Sequence, residues 1–260
     1  MAKTNLCCSN FDRISNLPGN VLENILRHLP LKEAGRTSIL SKKLRHRWAD
    51  VPQLVFDNTF LCSSQKSQNS QSYKLLMMNI YEVLLLHTGP IHKFTLSLSG
   101  LKSCPEIDRL ILFQSTKGIQ DFGLRIRDYN KLPSHFFSCM ELRHLNLYAC
   151  IFEPPSTFKG FGRLVSLELQ DVQFTYYFKS FISNCPLLEH LVLRECTQIS
   201  CLDINAPILK FLYYYGTYKS ISFKNTPCLA SVSIYETVGA YPLSSRKISD
   251  LIKVLSSLPA

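Results

Sequence analysis

The sequence predicts an α/β protein in two unequal parts: a small three-helix unit near the N-terminus, then an irregular solenoid with parallel strands on its concave face and helices or loops on its convex face. Three observations carry this. Apolar side chains recur at helical spacing across residues 17–48. A six-residue apolar frame then recurs seven times, at intervals of 20 to 28 residues. The hydrophobic content, 46% of 260 residues, is that of a globular chain long enough for one large domain, or a small one and a larger one.

The elements follow in order. Residues 1–10 read as a loose tail. Leu17-Pro18 precedes Val21, Leu22, Ile25, Leu26 and Leu29, an i, i+4, i+8 stripe with neighbours, and Pro30 stops that helix. Lys32 to Leu40 reads as a second helix, with Leu31, Ala34 and Ile39 facing inward. Ser41 is placed to cap a third, Lys42 to Trp48. Together they hold about a dozen apolar side chains in roughly thirty residues, too few to close a core alone. Pro52 then leads into Leu54-Val55-Phe56, an expected first strand. Residues 62–72, CSSQKSQNSQS, are polar and of low complexity, hence a surface loop, and Tyr73 to Leu86 is a strongly apolar helix.

The recurring frame is Φ-x-x-Φ-x-Φ, with Φ apolar. It begins at Ile91 (IHKFTL), Ile119 (IQDFGL), Leu142 (LRHLNL), Leu164 (LVSLEL), Leu188 (LEHLVL), Leu209 (LKFLYY) and Leu229 (LASVSI). One such hexamer is weak evidence; seven in near-register mark a stack of strand units that bury their apolar sides only on one another. Side chains alternate along a strand. With Leu145 and Leu147 inward, the frame exposes His144, Asn146 and Tyr148. By the same offset it exposes Lys93 and Thr95, Asp121 and Arg125, and Ser166, Glu168 and Gln170 in the earlier units. The later units expose His190, Val192, Arg194, Phe211, Tyr213, Tyr215, Ser231, Ser233 and Tyr235. The later units are the more aromatic, and aromatics with Arg dominate interface hot spots. The expected binding site on this face is therefore His190, Arg194, Phe211, Tyr213, Tyr215 and Tyr235.

Net charge is +10, and it is uneven: residues 1–50 hold nine Lys/Arg against four Asp/Glu, and Lys42, Lys43, Arg45 and Arg47 concentrate the excess. Such a cluster suits an acidic partner or a solvated helix face. A nucleic-acid binder would spread its cations along the repeats, whereas residues 51–260 carry only +5. The longest apolar run, Leu75–Leu86, is broken by Asn79 and Glu82 and is shorter than the roughly twenty residues of a membrane span. Ten scattered cysteines and no secretory signal point to free thiols inside the cell, in nucleus or cytoplasm. Phosphate-loop, dinucleotide, zinc-protease and nucleophile-elbow motifs are absent from the sequence. Cys7-Cys8 lacks a second pair at zinc spacing, and the remaining cysteines read as small core residues. The reading is a protein without catalytic residues, metal or cofactor.

Leu17-Pro18, Val21, Ile25-Leu26, Leu29-Pro30-Leu31-Lys32-Glu33-Ala34, Arg36-Thr37-Ser38, Leu40-Ser41-Lys42-Lys43 and Trp48 together resemble an F-box over residues 11–50, of the plant type followed by leucine-rich repeats (F-box/LRR and F-box/FBD/LRR proteins). The repeats over residues 51–260 agree with it in kind and position. Leu44 departs from the pattern, standing where an aromatic is expected, and no asparagine ladder of the commonest repeat type is evident. The resemblance implies a non-catalytic adaptor of an SCF (SKP–cullin–F-box) ubiquitin ligase, docking through its F-box on a SKP-type adaptor and binding a target protein with its repeats. The docking residues this implies are Leu17, Pro18, Val21, Leu22, Ile25, Leu29 and Leu31. The alternative is a stand-alone repeat scaffold or a nucleic-acid-binding protein. The end at SSLPA, just past an expected helix at Ile248–Leu255, leads us to expect a truncated member of the family or a fragment, with its last repeat incomplete and without the C-terminal domain many members carry.

Overall fold

In a computed structural model, the structure describes Ile14 and residues 17–60, 70–102, 104–127, 129, 131–175, 178–199 and 201–237. The expected tail, most of the polar loop, Cys7-Cys8 and the helix at Ile248–Leu255 lie outside the described residues.

The N-terminal unit opens with α1 (Gly19–Arg27). Pro18 starts it, its carbonyl accepting from the amides of Val21 and Leu22 at 3.0 and 3.1 Å. Pro30 ends the link to α2 (Leu31–Arg36), which is shorter than expected. Gly35 weakens its last turn, and the Thr37 hydroxyl donates to the Ala34 carbonyl at 2.6 Å, so the chain tightens into a 3-10 turn over Thr37–Ile39. Ile39, expected inside, is 86% exposed. The third helix does not form as one. Residues 42–46 make successive turns, and a 3-10 turn covers Arg47–Asp50. The Ser41 hydroxyl does accept the Leu44 amide at 3.3 Å, but cations at Lys43 and Arg47 repel at i, i+4 and Pro52 follows closely. Leu44 is buried despite its departure from the pattern.

Eight parallel strands form the main sheet: β1 (Gln53–Asp57), β2 (Lys93–Lys102), β3 (Asp121–Arg127), β4 (His144–Tyr148), β6 (Ser166–Gln170), β8 (His190–Arg194), β10 (Phe211–Gly216) and β12 (Ser231–Glu236), in that spatial order. Each of the seven frames becomes a strand. The eighth is the expected first strand, now a full member of the stack. Its own frame, Val51-x-x-Leu54-x-Phe56, carries three buried side chains. Register is uniform across the stack up to Ser97 of β2, beyond which the β2–β3 pairing shifts. Leu54, Phe94, Phe122, Leu145, Leu167, Leu191 and Leu212 lie side by side in one buried row, and Phe56, Leu96, Leu124, Leu147, Leu169, Leu193 and Tyr214 in the next.

Behind the sheet, the convex side changes along the stack. α3 (Ser70–Leu86) and α4 (Pro105–Ser115) fill the first two crossovers. The expected loop thus ends earlier, since residues 70–72 are helical. Pro105 in the first turn of α4, followed by Glu106 and Asp108, suits a helix start. The Tyr129 hydroxyl reaches Asp108 at 2.5 Å and ties this helix to the chain after β3. Later crossovers are thinner. They use two short parallel pairs, β5 (Ile151–Phe152) with β7 (Gln173–Phe174) and β9 (Cys201–Asn205) with β11 (Ser220–Lys224), and the brief helix α5 (Phe178–Ser183). Phe136, Phe152, Phe161, Phe174 and Phe181 pack between the sheet and this back, rings 5.0 to 6.3 Å apart. Buried aromatics of this bulk supply volume that short connections cannot.

The helical unit sits on the free edge of β1. The Gln53 side-chain amide donates to the Arg27 carbonyl. Thr88 and Gly89 donate backbone N–H groups to Ala49 at 3.0 and 3.2 Å, and the Thr88 hydroxyl donates to Asp50 at 2.7 Å. The two parts share a hydrogen-bonded seam.

Candidate docking and recognition faces

Two surfaces qualify, and they are separate. The first is the outer side of the N-terminal unit. Along α1 the 3.6-residue period splits the apolar stripe in two. Leu22 and Leu26 turn inward and are buried, Leu26 against Ala34 and Val51. Val21, Ile25 and Leu29 turn outward and stay exposed, as do Ile39 and Leu40 on the following turn. Of the seven expected docking residues, Val21, Ile25, Leu29 and Pro18 are therefore open to a partner, and Leu17 is half-buried. Leu22 is a correction: at 3% exposure it holds the face up from beneath and offers a partner nothing. Leu31 is half-buried and packs against the solenoid core. Sequence spacing alone missed Ile39 and Leu40, because a continuous helix would have turned Ile39 inward. Lys42, Lys43, Arg45 and Arg47 are exposed on the adjoining turns.

The second surface is the exposed face of the sheet. His190, Arg194, Phe211, Tyr213, Tyr215 and Tyr235 all lie on it, on three adjacent strands. Register sets His190 beside Phe211 and Tyr215 between Arg194 and Tyr235. The Arg194 guanidinium stands 4.9 Å over the Tyr213 ring, whose centroid is 5.6 Å from that of Tyr235. Arg194 also donates to Glu168 at 2.8 Å, and the Asn146 amide donates to the other Glu168 oxygen at 2.6 Å. Glu168 raises the Arg194 pKa above its ordinary value, and that guanidinium stays charged. Arg125 donates to Gln170 at 2.8 Å and lies 5.0 Å over the Tyr148 ring. Polar contacts of this kind fix the side chains of a recognition face before anything binds.

A concavity lies elsewhere on that face, over β2 to β6. A hollow of about 320 Å³ opens above Gly123, walled by Lys93, Thr95, Asp121, Arg125, His144 and Glu168. Sequence reasoning exposed these residues but did not bring them together. The available signal was Gly123 itself, a glycine at an outward position of its frame.

Neither face holds catalytic geometry, and among the described residues no group of three His, Cys, Asp or Glu could hold a metal. Cys139, Cys150, Cys185 and Cys196 are buried, and burial pushes their thiols up, to about 12 for the first three and about 11 for Cys196. These are structural thiols, protonated at neutral pH.

A small helical unit seated on the edge of a parallel-strand solenoid defines a class: a repeat protein with a helical module near its N-terminus. The chain belongs to the family of plant F-box proteins with leucine-rich repeats. The F-box domain family matches residues 14–55, and the leucine-rich repeats of the FBD-associated F-box protein At5g56370 match residues 101–256. The Arabidopsis thaliana F-box/FBD/LRR-repeat protein At1g13570 is 40% identical over 254 residues, 95% of this chain and 60% of the relative. From the same organism, the F-box/LRR-repeat proteins At4g14096 and At3g59200 are 32% and 30% identical, each over 89% of this chain and over 52% and 47% of their own lengths. The chain thus spans about half to three-fifths of the length of these curated relatives. No solved structure matches it.

Proposed function

We propose that the chain is the substrate-recognition subunit of an SCF-type ubiquitin ligase, its F-box docking on a SKP-type adaptor and its repeats holding the protein to be ubiquitinated. It acts inside the cell, in nucleus or cytoplasm, where free thiols persist. The observation that carries this reading is the apolar face of Val21, Ile25, Leu29, Ile39 and Leu40, which the solenoid leaves uncovered. Exposed apolar patches of this kind mark interaction sites, and full burial contributes about 1.5–3 kcal/mol per large side chain. The chain performs no chemistry of its own; it raises the local concentration of substrate near the ligase's charged ubiquitin donor. The basic turns at Lys42–Arg47 border the docking face and meet acidic ligase partners.

The test is a pull-down of the purified chain with a SKP-type adaptor. Wild type binds, whereas the Ile25→Asp variant and a Leu17→Ala/Pro18→Ala double variant lose at least tenfold in affinity with unchanged circular dichroism. A folded wild type that ignores the adaptor overturns the reading in favour of a repeat scaffold with another partner.

A further inference from the structure

The hollow over Gly123 is built, not incidental. Every other strand of the sheet carries a side chain at the equivalent outward position: Val55, Thr95, Asn146, Glu168, Val192, Tyr213 and Ser233. Gly123 does not need its glycine for backbone reasons, since its φ lies outside the left-handed range, and a Cβ there would press on Thr95 at 3.1 Å. The missing side chain leaves a gap one residue wide, floored by strand backbone between Thr95 and Asn146.

The walls are unequal in what they have left to give. Their acids are Glu168 and Asp121. Of these, Glu168 is saturated, one oxygen accepting from Asn146 and the other from Arg194, while Asp121 lies 3.8 Å from the His144 ring, beyond hydrogen-bond distance. Their donors are free. Among the described residues no side-chain partner meets the Lys93 ammonium or the hydroxyls of Thr95, Ser97 and Ser166, and Arg125 spends its one hydrogen bond on a neutral amide. Since Arg194 neutralises Glu168, Lys93 and Arg125 outweigh Asp121. The hollow is a donor-rich, cationic niche of side-chain size, preorganised by its own network.

We infer that the Gly123 hollow is the anchor point of the recognition face and takes a carboxylate-bearing side chain, Asp or Glu, from an extended segment of the substrate protein. The inference rests on the substrate-recruiting reading above. It moves the anchor from the aromatic strands to β2–β6; Tyr213, Tyr215 and Tyr235 then flank the segment further along the same rows.

The probe is an array of 15-residue peptides in which every acidic residue has a Gln- or Asn-substituted twin, with phosphoserine twins as a third arm. Wild-type chain retains acidic peptides at least fivefold over their amide twins. Gly123→Val, which fills the gap, abolishes that preference, and Lys93→Glu, at a fully solvated strand end, reverses it. Adaptor pull-down with both variants stays at the wild-type level, which separates failure of this site from failure of the docking face and confirms folding. Equal retention of acidic and amide twins, retention of phosphoserine twins alone, or an unchanged preference in Gly123→Val overturns the assignment.

Discussion

Ala149, Asp171 and Glu195 each follow a strand of the main sheet, and each adopts a left-handed backbone, with φ of 51°, 56° and 52°. Each also donates its amide to a carbonyl at the end of the next strand: Gln170, Arg194 and Tyr215, at 3.0, 2.8 and 2.7 Å. The turn repeats; the residue does not. That is why it was not legible: Ala, Asp and Glu share no chemistry that announces a positive φ, so the hydrogen bond imposes what propensity resists. Gly160 is the opposite case. Its φ is 99°, and a Cβ would lie 2.6 Å from the Asn184 carbonyl oxygen. Gly160→Ala combines a disfavoured backbone with a backbone clash and should cost about 3 kcal/mol, read as a lower urea midpoint with unchanged slope. At this scale the exposed face of the sheet was readable, because alternation alone separates Asn146 from Leu147. The hollow was not, because a vacancy has meaning only once its neighbours are in place.

Between elements, legibility followed the length of the periodic signal. The frames yielded strands because each was checked against six others, and the expected first strand at Leu54-Val55-Phe56 proves to carry an eighth frame, from Val51, forty residues upstream of the next. The helix expected over residues 42–48 had only seven residues and four cations to argue from, and dissolved into turns. The seam between the helical unit and β1 was invisible, since the Gln53 side chain and the Thr88 and Gly89 amides all reach backbone carbonyls, of Arg27 and Ala49, and a carbonyl carries no sequence signal. Gly89 makes the closest approach there, its absent Cβ pointing 2.7 Å from the Asp50 carbonyl oxygen. Gly89→Val should pry the seam open and leave the solenoid intact. Amide exchange within residues 17–50 is expected to rise at least tenfold while that of β4 to β8 stays the same; equal protection in both variants would show that the seam does not couple the two parts.

For the molecule as a whole, burial of thiols links stability to alkaline pH. Cys139, Cys150, Cys185 and Cys196 ionise near 9.0 when exposed and at about 11 to 12 when folded. Their folded pKa is raised, so the contribution is complete below pH 9 and falls as pH climbs from 9 to 11 or 12, the range in which the unfolded chain binds fewer protons than the folded one. Each thiol adds a slope of about 1.4 kcal/mol per pH unit in that window. The urea midpoint should hold from pH 7 to pH 9 and drop steeply by pH 10.5, and Cys185→Ala should make the drop shallower by one proton. A midpoint that stays level to pH 10.5 would contradict the burial of these groups.

The uniform register has a consequence for how such a chain changes over generations. Three outward rows crossing eight strands make a lattice of sites, and alternation insulates every site from the leucine rows beneath it. A substitution at Gly123, Tyr148 or Tyr213 redraws one tile of the surface and leaves its underlying support untouched. The face is thus a mosaic that drift can recompose tile by tile, trying new specificities at little risk to the scaffold that displays them.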